Sequence, residues 1–334
     1  MATPVATLVG LSLGAKKGIL FKEAAQLETM AKIDVLVLDK TGTITVGKPE
    51  VVNVMQYKEF DAGVLYSLVK SSNHPVASAI KEYLINENSD LQESLLDDYR
   101  QIPALGISAM YESSKLLGGN LKLLNDNNMN IEFDSNNTLF YYSVNEELVA
   151  IYELSDKIKD NAKSLVDNLS KRGISTVMLT GDNEKSAKRV SDEVGIKEYL
   201  FGQTPEDKAD YIAALHKDKK MVVMVGDGVN DILALARADI GIVMGSGSDI
   251  AVEVSDVVLL NDSLKSLEDA FKISRTTYAL IKQNLGISLV YNAVTIPLAM
   301  AGYVIPLVAA ISMSVSSLLV VGNSIRIKYK WNKG

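Results

Sequence analysis

The apolar run Ile33-Asp34-Val35-Leu36-Val37-Leu38 is followed at once by Asp39-Lys40-Thr41-Gly42-Thr43. A short apolar run closed by a Gly-containing polar turn reads as a buried strand. The acidic residue at its end then lies at the carboxyl edge of a sheet, where open α/β folds bind their ligands. A carboxylate in that place can attack a phosphoryl group and form an aspartyl-phosphate. Asp39 alone would equally suit a strand that merely ends in a polar turn. The five residues together, with the signals downstream, leave that plainer reading little room.

The second half of the chain alternates helix and strand patterns. Residues 158–169 carry the apolar spacing of a helix, and 174–179 read as a strand ending in Thr180-Gly181-Asp182. A helix over 187–194 and a short strand over 197–201 follow, then a helix over 205–215 behind Thr204, a residue type that caps helices. Residues 220–225 read as a strand ending in Gly226-Asp227-Gly228-Val229-Asn230-Asp231. This alternation implies a parallel sheet flanked by helices. Three strands thus end in polar turns that one ligand could share. Thr180 can donate a hydroxyl hydrogen bond to a phosphoryl oxygen, and Lys208 can place a positive charge beside it. Asp227 and Asp231 are hard oxygen ligands of the kind Mg²⁺ takes. Each of these residues alone would suit a turn or a helix cap.

Residues 48–151 differ in character, being polar, Asn-rich and weakly periodic. Residues 89–98 and 125–137 read as surface loops or helix ends. Residues 138–144 and 147–152 read as two strands joined by Asn145-Glu146. The simplest account is an α+β insert between two halves of a sheet domain. His216, set among Lys217, Asp218 and Lys219, reads as plain surface.

From Gln283 to Ile325 there is no Asp, Glu, Lys or Arg. That length accommodates two membrane spans of about 20 residues each, with Gly302 and Pro306 turning between them. Lys272, Arg275 and Lys282 flank one end, and Arg326, Lys328, Lys330 and Lys333 the other, so both ends are expected on the cytoplasmic side. The alternative, a buried soluble helix pair, fits the uncharged length poorly. Residues 1–15 are also uncharged before Lys16-Lys17, but too short for a span. They read equally as the cytoplasmic end of a membrane helix or as an ordinary amphipathic helix. A chain of 334 residues has room for two or three domains. A formal charge of −7 argues against a nucleic-acid partner. With no cysteine, disulfides and thiolate metal sites within the chain are excluded.

Asp39-Lys40-Thr41-Gly42-Thr43 resembles the phosphorylation signature of the P-type ATPases. With Thr180-Gly181-Asp182, Lys208 and Gly226-Asp227-Gly228-Val229-Asn230-Asp231 in that order, the resemblance covers nearly the whole chain. It implies an α/β fold: a haloacid dehalogenase-like parallel-sheet domain with an inserted α+β nucleotide-binding domain, plus a carboxyl-terminal transmembrane helical hairpin. The expected boundaries are a membrane-helix end at 1–20, the phosphorylation domain at 21–47 and 153–275, and the nucleotide-binding domain at 48–152. Transmembrane helices are expected at 280–303 and 305–326, with a tail at 327–334. In the family's pattern Asp39, the Thr41 carbonyl and Asp227 hold Mg²⁺. Asp39, Lys40, Thr41, Thr43, Thr180, Gly181, Asp182, Lys208, Asn230 and Asp231 form the catalytic set.

Ser72-Asn73-His74-Pro75 resembles the Ser-Glu-His-Pro of the heavy-metal branch, whose histidine helps to seat the ATP adenine. Gly106, Gly119 and Asn120 match further nucleotide positions. Two departures put the adenine contacts in doubt: Val69 stands where the family has glutamate, and Ala104 where a Gly-x-Gly begins. Ala104 adds a β-carbon where a glycine would let backbone approach the base. Tyr291-Asn292 and Met313-x-x-Ser316-Ser317 resemble copper(I)-pump signatures, and a thioether suits Cu⁺. By themselves these residues suit helix–helix packing equally well; joined to the catalytic motifs they favour copper, with Tyr291, Asn292, Met313 and Ser317 as ion ligands.

Ala2-Thr3-Pro4 resembles the segment after a Cys-Pro-Cys that the chain lacks, so the chain reads as the carboxyl-terminal half of a pump. An upstream half, or a copper chaperone, would be a partner. The resemblance further implies ATP-driven Cu⁺ transport by a multi-pass protein of a bacterial inner or plasma membrane, with membrane lipid around it and catalytic domains in the cytoplasm. Many phosphatases of this fold carry a second Asp two residues after the nucleophile; here that position is Thr41. The alternatives, a membrane-anchored phosphatase or a non-hydrolytic ATP-binding subunit of a split pump, remain beside it.

Overall fold

The computed structural model describes residues 2–331 except 73, 89, 103–104, 134, 136 and 303–305. Asn73, Ala104 and Lys333, all named above, lie outside the described residues. In chain order the elements are α1 (Ala2–Lys16), β1 (Ile19–Phe21), α2 (Ala24–Met30), β2 (Val35–Asp39), β3 (Thr45–Gln56), α3 (Ala62–Lys70), α4 (Pro75–Glu87), β4 (Asp97–Ile102), β5 (Gly106–Tyr111), β6 (Ser114–Gly119), α5 (Leu121–Asn125), β7 (Thr138–Val144) and β8 (Glu147–Ile158). There follow α6 (Ala162–Ser170), β9 (Ser175–Leu179), α7 (Glu184–Val194), β10 (Glu198–Leu200), α8 (Pro205–Lys217), β11 (Val222–Gly226), α9 (Ile232–Arg237), β12 (Ile240–Met244), α10 (Asp249–Val254), β13 (Val257–Leu259), α11 (Leu264–Met300) and α12 (Pro306–Trp331).

The first of two units comprises residues 1–44, 159–181 and 191–334. Its seven-stranded sheet has the order β1-β13-β12-β11-β2-β9-β10. All neighbours are parallel except β1, which runs antiparallel along β13. Every residue of β2, β11 and β12 is buried, as expected of a parallel sheet covered on both faces. Leu38 pairs with Val225 on one side and Met178 on the other. That register brings the carboxyl ends of β2, β9 and β11 level, so Asp39, Thr180 and Asp227 leave the sheet at one edge.

Helix α8 starts where its caps put it. The Thr204 hydroxyl accepts from the Asp207 amide, Asp207 accepts from the Thr204 amide, and Pro205 opens the first turn. This fixes Lys208 on the first turn, facing inward.

Helix α1 packs on α11 and α12 through Ala6, Leu280, Ile281 and Ile327. A Cβ on Gly10 would stand 2.5 Å from the Thr277 hydroxyl, so the helices approach closely there. The expected spans at 280–303 and 305–326 fall largely on two helices with other bounds: α11, Leu264–Met300, has 37 residues and ends before residue 303, and α12, Pro306–Trp331, has 26. Helix α11 starts earlier than expected because Ser263 caps it and because Leu267, Ala270, Phe271 and Ile273 are buried in the unit's core. Among the described residues no helix is long and apolar enough to cross a membrane.

The second unit comprises residues 45–158 with 182–190. Its six strands are antiparallel in the order β3-β8-β7-β6-β5-β4. The insert begins and ends outside the expected 48–152, because Thr45 already pairs with Ile158. Asp156 closes that end, accepting from the Thr45 hydroxyl at 2.5 Å and the Gly47 amide at 3.0 Å. For the same reason α6 starts at Ala162, since Ile158 belongs to β8. Strands β4, β5 and β6 have no counterpart in the sequence reading. Strand β4, Asp-Asp-Tyr-Arg-Gln-Ile, is a largely exposed edge without apolar alternation. The core under α3 and α4 is aromatic: Phe60 meets Tyr142, and Tyr152 meets both Tyr83 and Phe140, all edge to face.

Candidate active site

Asp39, Lys208 and Asp231 form a buried cluster at the carboxyl edge of the parallel sheet. The Lys208 ammonium donates to Asp39 Oδ1 at 2.5 Å and to Asp231 Oδ1 at 2.8 Å. A carboxylate oxygen from each of Asp39, Asp227 and Asp231 lies within 4.8 Å of the others. Gly42 makes room for this. It has φ +71°, and a Cβ on it would lie 1.6 Å from Asp227 Oδ2. A side chain at residue 42 would therefore displace a carboxylate.

Three carboxylates and one ammonium leave net negative charge in a buried place. Burial, then the Asp231 carboxylate, pushes Asp39 up to about 7 against the pull of Lys208. Burial and Asp231 likewise push Asp227 up to about 6, with Lys159 pulling the other way. Burial works against the Lys208 ammonium, yet Asp39 and Asp231 hold it above the ordinary lysine value. A hard divalent cation with oxygen preference is what such a donor set accepts, so these residues fit Mg²⁺.

Around the cluster, Lys40 and Thr180 are buried, and so is Thr43, whose hydroxyl has no hydrogen-bond partner among the described residues. The Thr180 amide donates to Leu200 O, and its carbonyl accepts from the Gln203 amide, which fixes the end of β9. Gly181 follows it. Asp182 accepts from the Ser186 hydroxyl at 3.2 Å. Thr41 and Asn230 are exposed.

The second unit holds a cavity of about 480 Å³. His74, Gly106, Gly119 and Asn120 line it; Pro75 does not, but opens helix α4 beside it. His74 caps α4, its Nδ1 accepting from the Val76 amide at 3.3 Å. Gly106 and Gly119 are packed backbone to backbone, and a Cβ on Gly106 would lie 2.2 Å from Gly118 O. The sequence reading missed Gln101, Thr138 and Phe140, which also line the cavity. Gln101 donates to the Ser72 hydroxyl at 3.1 Å.

The haloacid dehalogenase-like hydrolase family model matches residues 33–239, more than half of the chain. The chain belongs to the haloacid dehalogenase-like hydrolases.

Within this family its relatives are metal pumps. It is 38% identical over 343 residues to the probable copper-importing P-type ATPase A of Enterococcus hirae, covering 99% of this chain and 46% of that protein. It is 38% identical over 340 residues to the copper-exporting P-type ATPase of Staphylococcus haemolyticus, covering 98% of this chain and 42% of that one. The chain thus spans a little under half the length of these relatives, and their names give opposite directions of transport at equal identity. A zinc-transporting PIB-type ATPase in its E2·Pi state superimposes with a TM-score of 0.83 at 29% identity, over 98% of this chain and 55% of that one. The catalytic domain of the CPx-ATPase CopB-B, studied for conformational changes upon nucleotide binding, superimposes with a TM-score of 0.67 at 29% identity. That match spans 78% of this chain and 98% of the other.

In this haloacid dehalogenase-like hydrolase the residues singled out on α11 and α12 are less gathered than the acidic cluster. The Tyr291 hydroxyl bonds Ser312 at 2.9 Å, and the Ser317 hydroxyl donates to the Met313 carbonyl at 3.0 Å. Asn292 is exposed, and Met313 is 63% exposed. Among the described residues no hydrogen bond joins the side chains of Tyr291, Asn292, Met313 and Ser317 to one another. Besides Tyr291–Ser312, polar contacts between the helices include Asn284, which donates to Ser324 at 2.9 Å and accepts from Asn323 at 2.9 Å.

Proposed function

We propose that Asp39 is phosphorylated by ATP as one step of heavy-metal transport, with Cu⁺ as the cargo. One Asp39 oxygen attacks the γ-phosphorus, a P–O bond forms to it, and the bond to the β,γ-bridging oxygen breaks, releasing ADP. Lys208 and the Thr180 hydroxyl meet the charge on the phosphoryl oxygens. Mg²⁺, held by Asp39, Asp227 and the Thr41 carbonyl, would neutralise phosphate charge. Lys40, Thr43, Gly181, Asp182, Asn230 and Asp231 shape and support the site.

The observation that carries the reading is the buried Asp39–Lys208–Asp231 cluster at the carboxyl edge of β2, with a threonine at residue 41. A carboxylate at residue 41 could activate water. Threonine cannot, so the phosphoenzyme persists, which suits a protein that must change shape while phosphorylated. This disfavours a membrane-anchored phosphatase.

ATP binds in the second unit, its adenine in the cavity beside His74, Gly106, Gly119 and Asn120. Helices α11 and α12, with large apolar side chains exposed between Leu285 and Ile325, lie in a bacterial inner or plasma membrane among lipid, with the rest of the chain in the cytoplasm. Tyr291, Asn292, Met313 and Ser317 serve the ion path. The counterpart of the relatives' remaining length completes the transport cycle, with a copper chaperone as donor of the ion.

Labelled ATP with Mg²⁺ is expected to give an acid-stable, hydroxylamine-sensitive adduct on the wild-type chain and none on Asp39→Asn. An adduct retained by Asp39→Asn would overturn the assignment. Stimulation of adduct formation by Zn²⁺ and not by Cu⁺, in the complete pump, would overturn the cargo.

A further inference from the structure

Lys159 is the first residue after β8, and nothing in the sequence pattern marks it. Its amide donates to Ile44 O at 2.9 Å. Its ammonium donates to Gly42 O at 2.6 Å and to Asp262 Oδ1 at 2.7 Å, and the side chain is only 8% exposed. Gly42 and Ile44 belong to the turn that Asp39 opens. Asp262 immediately precedes Ser263, the N-cap of α11. One nearly buried cation therefore ties the Asp39 turn to the root of the longest helix.

Lys159 holds two main-chain carbonyls of the turn, Gly42 O through its ammonium and Ile44 O through its amide. Gly42 has no side chain, and with φ +71° against Asp227 it cannot acquire one. At residue 42 the carbonyl is therefore the group that the ammonium holds. Fixing that carbonyl fixes the Gly42–Thr43 peptide plane within the turn that Asp39 opens. Lysine has three donors and here meets two acceptors, one main-chain and one charged. The same charge lies close enough to Asp227 to lower its pKa.

We propose that Lys159 is a positioning residue for phosphoryl transfer, holding the Asp39 turn in register with the root of α11 through Asp262. The proposal rests on the reading of Asp39 as the nucleophile. Lys159 touches no reacting atom. It sets where the turn stands, and the Asp262 contact makes that setting depend on the first turn of α11.

The test uses the full chain as wild type, Lys159→Met, Lys159→Arg, Asp262→Asn and the Lys159→Met/Asp262→Asn double variant. Single-turnover phosphorylation by labelled ATP is followed over a range of ATP concentrations. Lys159→Met should slow adduct formation on the order of 100-fold, the scale of a misplaced reacting group. Half-saturating ATP should stay within about threefold, because substrate binding is untouched. Lys159→Arg should recover most of the rate by keeping charge and donors, to within about tenfold. Asp262→Asn should cost less than Lys159→Met, and the double variant should be no slower than Lys159→Met alone, because Asp262 acts through Lys159. A wild-type rate in Lys159→Met, or losses that multiply in the double variant, would overturn the proposal.

Hydrogen exchange provides a readout that does not need the adduct. Amides of residues 264–268 should exchange faster in Lys159→Met and in Asp262→Asn, and to a similar extent. Unchanged protection in both refutes the link even if phosphorylation is slowed. Faster exchange with no adduct on the wild type leaves the link standing and refutes Asp39 as nucleophile. Should Lys159→Met not fold, Asp262→Asn, at a partly exposed site, carries both measurements: a wild-type rate with wild-type protection overturns the proposal.

Discussion

The two sheets solve different problems with different chemistry. The parallel sheet buries charge, with Asp39, Lys208 and Asp231 packed at one edge. Among the described residues the antiparallel sheet buries no comparable charge, and Phe140, Tyr142 and Tyr152 pack in its core among aliphatic side chains such as Leu65, Leu68 and Ile80. Its cavity is walled by Ile102, Leu105, Ile107, Leu139 and Phe140 and by the backbone of Gly106, Gly118 and Gly119. A charged cluster depends on every member, because removing one leaves the others buried and unpaired. A cavity of apolar walls and glycine backbone depends on shape, and tolerates loss of a single polar contact. Substitutions in the first unit should therefore act on chemistry in an all-or-none way. Those in the second should act on nucleotide affinity by degrees.

The largest expected effect breaks the comparison if it fails. Asp39→Asn should abolish the hydroxylamine-sensitive adduct while leaving ATP binding, read by fluorescence of a nucleotide analogue, unchanged. An equal loss of nucleotide binding would mean that the two sites do not divide the work in this way.

Next comes a matched pair of glycines. Gly42→Ala puts a Cβ 1.6 Å from Asp227 Oδ2, and Gly106→Ala puts one 2.2 Å from Gly118 O. Each should cost about 1–3 kcal/mol of stability from backbone strain alone. Gly42→Ala should lose phosphorylation and keep nucleotide affinity. Gly106→Ala should do the reverse, and the same pattern in both would remove the distinction.

The acidic cluster makes a prediction about pH. The folded-state values of Asp39 and Asp227, about 7 and about 6, lie above the ordinary 3.8. The folded protein therefore binds these protons more tightly than the unfolded chain. The resulting stabilisation is complete below the ordinary carboxylate value and is lost as pH rises through 6 and 7. Mg²⁺ takes the place of the lost protons, so its effect on melting temperature should be small near about pH 5 and grow toward about pH 8. Asp39→Asn should flatten that dependence. An equal Mg²⁺ shift at both pH values would show that the carboxylates do not bind the cation as a group.

The smallest effect sharpens the second half of the comparison. His74→Gln should weaken phosphorylation by ATP roughly tenfold or less, about the worth of one hydrogen bond. It should leave phosphorylation by inorganic phosphate intact. Equal loss of both would make His74 a folding residue, consistent with its place as the cap of α4.

How much could be read in advance follows the same division. In the parallel sheet Asp39, Thr180 and Asp227 each stand at or directly after the end of an apolar strand, so strand and site announce each other. Lys208 was legible because Thr204 and Pro205 mark the start of its helix. In the insert only the short motif around His74 and scattered glycines stood out. Strand β4 is polar and β6 is glycine-ended, so neither carries the period-two signal of a half-buried strand. Gln101 and Thr138 reach the cavity only through the successive pairing of β4 with β5, β5 with β6 and β6 with β7, the last of which joins strands on either side of α5 and the stretch after it.

The sequence by itself determined the sheet class of the first unit and the order of its site residues, because burial on both faces writes apolar runs and the turns that follow them are local. Only the tertiary structure decided that Asp231 shares Lys208 with Asp39, that Gly42 stands against Asp227, and that Lys159 grips the turn from more than a hundred positions away. Those contacts pair residues with no local signal linking them, and their energy exists only when the sheet edge closes around buried charge.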